Sequence, residues 1–524
     1  MRSLSIKKLK SSRGEDILYL LSWLLLFASY VAAVIFVAQR SDYLLDSDMS
    51  SDMLLSKILS ERGGILTDRW SYSSEIRVFH IQLITSLLFR FMENWHYIRT
   101  VTTAVHLVLY MLSLRFLCGQ LDIKRLFPIT GAVLLAPVSF DYFTYYVIGL
   151  YYIPAQILMF LSLGMFIRVS RIDVKKPSKR EYAEVLLAMF LAFLSGLCGI
   201  RLIALFFFPL FKTFFFIFLK DRTRKAEMFQ SASLLLLSGG GFLIYRFVLM
   251  RHFDVMGFDF IRFRDMDLSY LSMQLRFLMM NMGYYPGPVG FFSVTRFFVF
   301  VFFVLLAVIA FRYGRGEKNG WALSFIAWDL AVYFVIQLIF TKDTISRYIT
   351  PLVILSIPVI AGTLVSRKVK EDKLLRILSV VMSAYIAING FSWFLEYRKI
   401  DITYDKRSVL AYMQASDIHV GYSTFWNANV ITELSDGDVT MYHFSDSETM
   451  DFRDPSSVRP WLQETSHREG FPDEPSVLIL TRDEYERAPF KEALDERKTA
   501  YYSGDLYVFY FEDYHDLISV YDFA

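Results

Sequence analysis

The sequence has few cysteines and few charged residues for its length. Its 524 residues include only two cysteines, which excludes a small secreted module held together by disulfide bonds. Charged residues make up 20% of the chain, below the roughly 25% of an ordinary soluble domain. The 55 lysines and arginines nearly balance the 52 aspartates and glutamates, so no overall basic charge indicates a partner nucleic acid.

Apolar and aromatic residues are abundant instead. Hydrophobic residues make up 55% of the chain and aromatic residues 17%, a composition typical of membrane cores and of the aromatic belts at their surfaces. About eleven apolar stretches approach the length of roughly 20 residues that a membrane-spanning helix needs. We therefore predict an α-helical polytopic membrane protein with spans near 17–38, 101–118, 127–140, 145–167, 185–200, 202–219, 228–250, 297–311, 321–340, 351–365 and 377–394.

Lysine and arginine cluster at alternate ends of these stretches. The clusters precede the first stretch and follow every even-numbered one, at 2–13, 124–125, 168–180, 220–225, 312–318 and 367–373. Because short cytoplasmic loops retain basic residues, this alternation predicts a multi-pass protein of the plasma membrane with a cytoplasmic N-terminus. Everything after the last stretch is then extracytoplasmic.

Three polar regions are predicted to face outward. They are a first outer loop at 39–100, an outer loop at 251–295 and a tail from residue 400, which divides the chain into a transmembrane domain at 1–399 and a tail domain at 400–524. Within the first loop, apolar residues recur at helical spacing and predict an amphipathic surface helix: Ile76, Phe79, Leu83, Leu87 and Phe91.

The tail alternates strand-like and helix-like segments. Strand-like runs begin at Ile418, Val439, Ser476 and Ala500, and 482–497 is helix-like. This alternation predicts a small extracytoplasmic α/β domain, and the tail lacks the glycine motifs of nucleotide sites. Its most site-like residues are Trp426, Asn427 and Asn429, although the asparagines are equally compatible with helix capping.

Carboxylates stand at the predicted outer face. Asp46 and Asp48 follow the first span, with Asp52 four residues further on, and Asp141 lies in the short turn after the third span. An extended i, i+2 pair or a helical i, i+4 pair would present two carboxylates together. Each also has a simpler interpretation, as a solvated loop residue or a helix-end residue.

Cations are predicted on the same side. Arg201 lies between the fifth and sixth stretches, and Lys342 and Arg347 lie between the ninth and tenth. Translocated short loops normally avoid such charges, so these residues are candidates for binding an anion, or else for an ion pair or a lipid headgroup contact. Asp329, within an apolar stretch, is expected to face the bundle interior.

This combination favours transfer of a sugar from a lipid carrier. Nucleotide-activated sugars are cytoplasmic, so an outward-facing enzyme must take its donor from the bilayer, and a polyprenyl-phosphate sugar meets that need. Its phosphate is already a good leaving group that arginine or lysine can stabilise. The remaining requirement is one carboxylate that accepts the proton of the acceptor hydroxyl.

The order of these parts resembles the GT-C superfamily of lipid-linked-sugar glycosyltransferases, which includes the protein mannosyltransferases. The resemblance rests on the acidic motif DSDMSSDM outside the first span, then TDRWSYSSEIRVFHIQL, a bundle with short outer turns and an extracytoplasmic tail. Shorter segments similar to bacterial multispanning members are WSYSSEIRV, SRYITP and GYSTFWNANVITELSDG.

The resemblance implies a catalytic base in the first loop, Asp48 first and Asp46 second. It also implies that Asp141 is a second-loop acid and that Arg201 and Arg347 contact the donor phosphate. Lys342 is a further candidate for the phosphate because it lies in the same outer turn as Arg347. The mannosyltransferases have an adjacent acidic pair, whereas a serine separates Asp46 from Asp48 here, so the base stays open between them. The resemblance implies no cofactor, because monophosphate donors in this superfamily generally need no metal.

We therefore hypothesise an inverting glycosyltransferase acting on an extracytoplasmic glycan, lipid or protein, with 251–295 beside the acceptor or lipid groove. The partners are the lipid-linked donor, this acceptor and the bilayer, without nucleic acid. Alternatives are a transporter or flippase of lipid-linked saccharide and an envelope polymerase or ligase that uses a diphosphate donor.

Overall fold

A computed structural model describes residues 2–172, 177–256, 268–285, 290–314, 316, 318–340, 345–365, 369, 371–497 and 499–522. Lys342, and residues 257–267 and 286–289 of the predicted 251–295 loop, lie outside the described residues. The chain divides into two compact units. The first unit comprises 1–36, 103–246 and 259–398, and the second unit comprises 37–102, 247–258 and 399–524.

Sixteen helices precede the tail in the described residues, and the first unit contains most of them. In chain order they are α1 Arg2–Arg40, α2 Ser47–Arg62, α3 Gln82–Leu88, α4 Trp95–Gln120, α5 Phe127–Leu135, α6 Phe140–Tyr142, α7 Ile153–Val169, α8 Lys179–Leu197, α9 Phe208–Lys220, α10 Lys225–Ile244, α11 Met250–His252, α12 Leu268–Asn281, α13 Phe291–Gly314, α14 Trp321–Val335, α15 Thr350–Leu364 and α16 Lys373–Tyr397. Segments of π-helix extend four of the helical runs, at Phe143–Ile148, Ile203–Phe207, Tyr245–Leu249 and Ile336–Phe340.

Among the described residues, eight helices are long and apolar enough to cross a membrane, which identifies a multi-pass membrane protein. They are Asp16–Tyr43, Trp95–Gln120, Ile203–Lys220, Arg222–His252, Phe291–Gly314, Trp321–Phe340, Ser346–Leu364 and Lys373–Tyr397. A ninth candidate is a pair of helices, Lys124–Leu135 and Phe140–Ile148, bent by 94°.

The bend interrupts the predicted 127–140 span. Ala136, which ends α5, is extended because the following Pro137 disfavours a helical conformation in the residue before it. The Ser139 side chain then accepts a hydrogen bond from the Tyr142 amide and caps the next helix. Asp141 consequently lies in the first turn after the break.

Helices α8 and α10 pack closely through glycine. A Cβ atom added to Gly196 would lie 1.9 Å from the Ser238 carbonyl oxygen, and one on Gly241 would lie 2.2 Å from that of Phe193. The same atom on Gly239 or Gly240 would meet open space. The GGG segment therefore contributes one close-packing position to a helix.

The second unit contains the predicted α/β fold of the tail. Besides α2, α3 and α11, its helices are those of the tail: α17 Tyr404–Ala415, α18 Phe425–Leu434, α19 Arg482–Arg487, α20 Lys491–Arg497 and α21 Tyr514–Ile518. Its strands are β1 Trp70–Ser71, β2 Val420–Thr424, β3 Thr440–Phe444, β4 Gln463–Glu464, β5 Ser476–Thr481, β6 Tyr501–Ser503 and β7 Leu506–Phe511. The main sheet has the order β3-β2-β5-β7-β6, with β3, β2 and β5 parallel and β7 and β6 antiparallel.

Side chains of β5 alternate between two apolar layers, as the two-residue period of a strand requires. Val477 and Ile479 pack with residues of α17 and α18, whereas Leu478 and Leu480 pack with residues of α20 and α21. The tail is thus a three-layer domain. The predicted helix at 482–497 is two short helices, because Pro489 follows an extended Ala488.

The first outer loop belongs to the same unit as the tail. Strand β1 pairs antiparallel with β4, so that Trp70 lies opposite Glu464, and Tyr72 forms a bridge with Val255. The amphipathic helix expected over 76–91 is wrong in extent, since the described helix begins only at Gln82. The strand contacts end at Tyr72, the residues between it and Gln82 form bends and a turn, and Ile76 among them is fully buried.

Candidate active site

Helix α2 carries the three first-loop carboxylates in the second unit. Asp46 is its N-cap, and its Oδ1 accepts a hydrogen bond from the Met49 amide at 2.8 Å. Asp48 lies in the first turn, where a negative charge is favourable near the helix N-terminus. Asp52 follows one turn after Asp48, so both side chains lie on one side of the helix. The sequence-predicted helical i, i+4 arrangement is therefore the one observed for these two residues.

Asp52 is the most buried of the three, with 9% of its surface exposed. Its Oδ1 lies 3.7 Å from Nδ1 of His80, and Nε2 of His80 lies 3.3 Å from a guanidinium nitrogen of Arg77. Burial raises the pKa of Asp52 to about 7, Arg77 opposes this rise, and the nearby Asp48 adds to it. The acidic helix therefore holds a carboxyl group that titrates near neutral pH.

Buried polar contacts join α2 to the tail domain. Arg99 donates to both carboxylate oxygens of Glu433 at 2.7 and 2.8 Å, and to the Met49 carbonyl at 3.1 Å. Asn429 donates to the Ser51 hydroxyl at 2.8 Å. Because a bidentate pair fixes both distance and orientation, these contacts determine where the first turns of α2 lie relative to the sheet domain.

The tail residues singled out from sequence have separate roles. Thr424, not an asparagine, is the N-cap of α18, so the capping interpretation of Asn427 and Asn429 is wrong. Asn429 is buried and holds α2 through Ser51, while Asn427 is 7% exposed. Trp426 is 59% exposed. Of these three residues, Trp426 is the most accessible to a ligand.

Asp141 is buried in the first unit, where Asn281 joins three segments. The Nδ2 atom of Asn281 lies 3.4 Å from Oδ2 of Asp141 and 3.0 Å from the Ser346 carbonyl oxygen, and its Oδ1 accepts a hydrogen bond from Thr350 at 2.6 Å. The Ser346 side chain also hydrogen bonds to Asp141. This network fixes the start of the SRYITP segment beside the Asp141 carboxylate.

Two arginines of the first unit lie against tyrosine rings. The Arg347 guanidinium carbon is 4.7 Å from the ring centre of Tyr145 and 5.8 Å from that of Tyr151. Its charge also acts on Asp141. Arg201 is similarly placed, 5.5 Å from the ring centre of Tyr152 and 5.4 Å from that of Tyr348.

Tyrosine rings can hold a guanidinium in a fixed plane through cation–π attraction. Tyr348 follows Arg347 directly in the chain, so the two arginine environments share one short segment. The first unit thus brings together Asp141, Arg347 and, through Tyr348, Arg201. Of the predicted cations only Lys342 cannot be assigned a position, because it lies outside the described residues.

Sequence reasoning missed two supporting residues. Asn281 had a recognisable signal, since an amide within an apolar helix is costly unless it is hydrogen bonded. His80 had no such signal. It is one of the eight histidines of the chain, and its position in a polar loop does not indicate a carboxylate partner.

Two other groups bear on the chemistry. Asp329 is fully buried, as expected, and neither of its carboxylate oxygens has a hydrogen-bond partner among the described residues. Within the same described part of the chain, no group of three or more His, Cys, Asp or Glu side chains is arranged to hold a metal ion.

The solved structures similar to this chain include the following three. Two are ArnT from Cupriavidus metallidurans, each 11% identical. The form bound to undecaprenyl phosphate has a TM-score of 0.64 and covers 93% of this chain and 97% of that one; the apo form has a TM-score of 0.62, with 95% and 98% covered. The third is the Archaeoglobus fulgidus oligosaccharyltransferase in complex with Zn and sulfate, which is 12% identical. Its TM-score is 0.53, and the match covers 93% of this chain and 72% of that one.

Comparisons of sequence alone gave no match. No family model matches the chain, and no curated protein matches it. At 11–12% identity, the similarity to the solved structures is a similarity of fold.

Proposed function

We propose, from the GT-C fold that this chain has, that it is a membrane glycosyltransferase that uses a polyprenyl-phosphate sugar as donor. It transfers the sugar to a hydroxyl group of an extracytoplasmic acceptor, with inversion at the anomeric carbon. The observation that carries the proposal is the pair of tyrosine-flanked arginines, Arg201 and Arg347. The undecaprenyl phosphate held by one ArnT structure supports a ligand of the same chemistry here.

In the proposed reaction the acceptor oxygen attacks the anomeric carbon. A bond forms between these two atoms, and the bond from the anomeric carbon to the phosphate oxygen breaks. Asp48 accepts the proton of the hydroxyl, and Asp46 is the second candidate for this base. Arg201 and Arg347 stabilise the departing lipid phosphate by charge-assisted hydrogen bonds. Asp141 orients the segment that carries Arg347, and no metal takes part.

A transfer assay tests the base. Purified full-length protein in lipid nanodiscs is given a panel of radiolabelled undecaprenyl-phosphate hexoses, with cell-envelope extract as acceptor, and the release of undecaprenyl phosphate is measured. Since general-base catalysis contributes about 10²- to 10⁴-fold, Asp48→Asn should lower kcat by that factor with little change in the donor KM. The exposed Asp68 of the same loop supplies the control variant Asp68→Asn, which should remain active.

Other outcomes would redirect the assignment. Full activity in Asp48→Asn together with loss in Asp46→Asn would make Asp46 the base, and full activity in both would contradict an Asp base in this loop. Turnover with diphosphate-linked but not monophosphate-linked donors would favour the polymerase or ligase alternative.

The arginines are tested by binding of undecaprenyl phosphate itself. Arg347→Gln and Arg201→Gln should each weaken this binding by about 10- to 100-fold, the range expected for loss of a charged hydrogen bond. Arg398→Gln, at a helix end of the same unit, is the control. Equal affinities for all three variants would contradict the phosphate assignment.

A transporter of lipid-linked saccharide is the second candidate. Asp329 favours it, because a buried carboxylate without hydrogen-bond partners among the described residues is typical of ion or substrate pathways in membranes. A transporter would move labelled donor across the bilayer of proteoliposomes without releasing polyprenyl phosphate, and Asp329→Asn would then abolish that movement.

A further inference from the structure

The second unit contains an arginine whose charge lacks a close partner. Arg459 is partly exposed, and its guanidinium makes no hydrogen bond and no ion pair within 4 Å to any residue that the structure describes. Several other arginines of the same domain are paired, as Arg453 is with Asp451 at 2.9 Å. An unpaired, partly buried guanidinium is unfavourable, so Arg459 is a candidate for binding an anionic ligand.

The backbone around Arg459 is fixed. Its amide donates to the His443 carbonyl at 3.0 Å, and its own carbonyl accepts hydrogen bonds from the Trp461 amide and the Gln463 side chain. Pro460 follows directly and restricts the chain further. The position of this side chain is therefore built into the loop between β3 and β4.

Aromatic rings fix the guanidinium itself. Its carbon lies 4.9 Å from the ring centre of Trp461 and 5.5 Å from that of Phe425. Phe425 in turn packs edge-on against the exposed Trp426, with ring centres 5.1 Å apart. With aromatic rings beside the guanidinium, a ligand would bind to its N–H donors along the edge of the plane. Two such donors match the two oxygens of a carboxylate or phosphate.

The charges around Arg459 connect it to the first-loop carboxylates. Burial lowers the pKa of Arg459, and Asp48 and Asp446 oppose this change through their charges. Asp48 and Arg459 are thus electrostatic neighbours within one compact unit, although they form no ion pair. An anionic group bound at Arg459 would therefore be within electrostatic range of the proposed base.

We propose that Arg459, Trp461 and Trp426 form a subsite for an acidic saccharide, and that the acceptor of the reaction is a carbohydrate carrying a carboxylate or phosphate group. Arg459 binds the anionic group, and the indole rings contact the apolar C–H face of the sugar ring, as large aromatic surfaces do. This inference rests on the proposed function, since it identifies the acceptor class for a base at Asp48.

Ligand binding without donor tests the subsite separately from catalysis. Saturation-transfer difference NMR of the full-length protein in nanodiscs is recorded with glucuronate, glucose 6-phosphate and glucose as probes. At least one anionic probe should bind about 10- to 100-fold more tightly than glucose. Arg459→Gln should remove this preference. The control variant is Arg453→Gln, at a surface residue that is paired with Asp451, and it should retain the preference.

Three results would overturn the inference. They are equal binding of glucose and both anionic probes, unchanged anion binding in Arg459→Gln, and loss of anion binding in Arg347→Gln alone. A fourth would be weakened binding of undecaprenyl phosphate in Arg459→Gln, because the anion would then belong to the donor.

A second variant separates binding from folding. Arg459→Lys keeps the charge but loses the planar edge, so it should bind the anionic probe with intermediate affinity at an unchanged melting temperature. If Arg459→Gln melts early and Arg459→Lys binds like the wild type, the residue is structural and the subsite is wrong. Sugar transfer to neutral acceptors alone would contradict this inference and leave the proposed function standing.

Discussion

Replacing Asp52 by asparagine should stabilise the protein, by an amount that grows as the pH rises from about 4 to about 7. Burial raises the pKa of this carboxyl group from 3.8 to about 7. Between these two values the folded chain binds more protons than the unfolded chain, so the free energy of unfolding falls as the pH rises through that window. At 1.36 kcal/mol per pKa unit, the charged carboxylate destabilises the folded state by at most about 4 kcal/mol above pH 7.

The measurement is thermal unfolding of the full-length protein in nanodiscs at pH 4.5 and pH 8. Asp52→Asn should raise the melting temperature by several degrees at pH 8, given about 2–4 °C per kcal/mol for a domain of this size class, and by only a small part of that amount at pH 4.5, near the unfolded pKa. Asp68→Asn, at an exposed position of the same loop, should change neither value. A melting temperature lowered equally at both pH values would refute the reasoning, because Asp52 would then stabilise the fold through its contacts.

Two further predictions concern packing and a buried ion pair. Gly241→Ala should destabilise the protein by about 1–3 kcal/mol, since its Cβ would press on a backbone carbonyl, whereas Gly240→Ala should be neutral; equal thermal stabilities would contradict the close helix contact. Glu433→Gln should cost about 3–5 kcal/mol by leaving Arg99 buried without its partner. Limited proteolysis at increasing temperature measures this loss, and the double variant Arg99→Met/Glu433→Leu should recover part of it.

The sequence predicts the tail strands and most of the membrane helices because both depend on local pattern, although it gives about eleven spans where eight, or nine with the bent pair, are found in the described residues. Apolar runs identify the spans, and alternation identifies strands such as β5. The breaks are harder to predict, since Pro137 lies within a continuous apolar run whose total length suggests an unbroken helix. Its effect on the chain direction places Asp141 in a helix start, which hydrophobicity alone does not indicate.

For the candidate site, the sequence singles out charged residues but gives no information on their contacts. Arg201 and Arg347 stand out because translocated short loops normally avoid basic residues, and Asp48 stands out as part of the acidic motif DSDMSSDM. The neighbours of these residues depend on contacts between distant segments. Asn281 hydrogen bonds to Asp141, and Arg459 interacts electrostatically with Asp48. Both pairs are far apart in the sequence, so no local pattern predicts them.

The pairing of β1 with β4 has a consequence for protein engineering. Each two-residue strand obtains its hydrogen bonds from the other, and the Arg99–Glu433 pair lies in the same interface between loop and tail. Grafting the tail alone from a distant homologue would leave both halves of these contacts mismatched. A chimaera should therefore fold only when the loop and the tail are transplanted together, although the helices of the first unit separate them in the sequence.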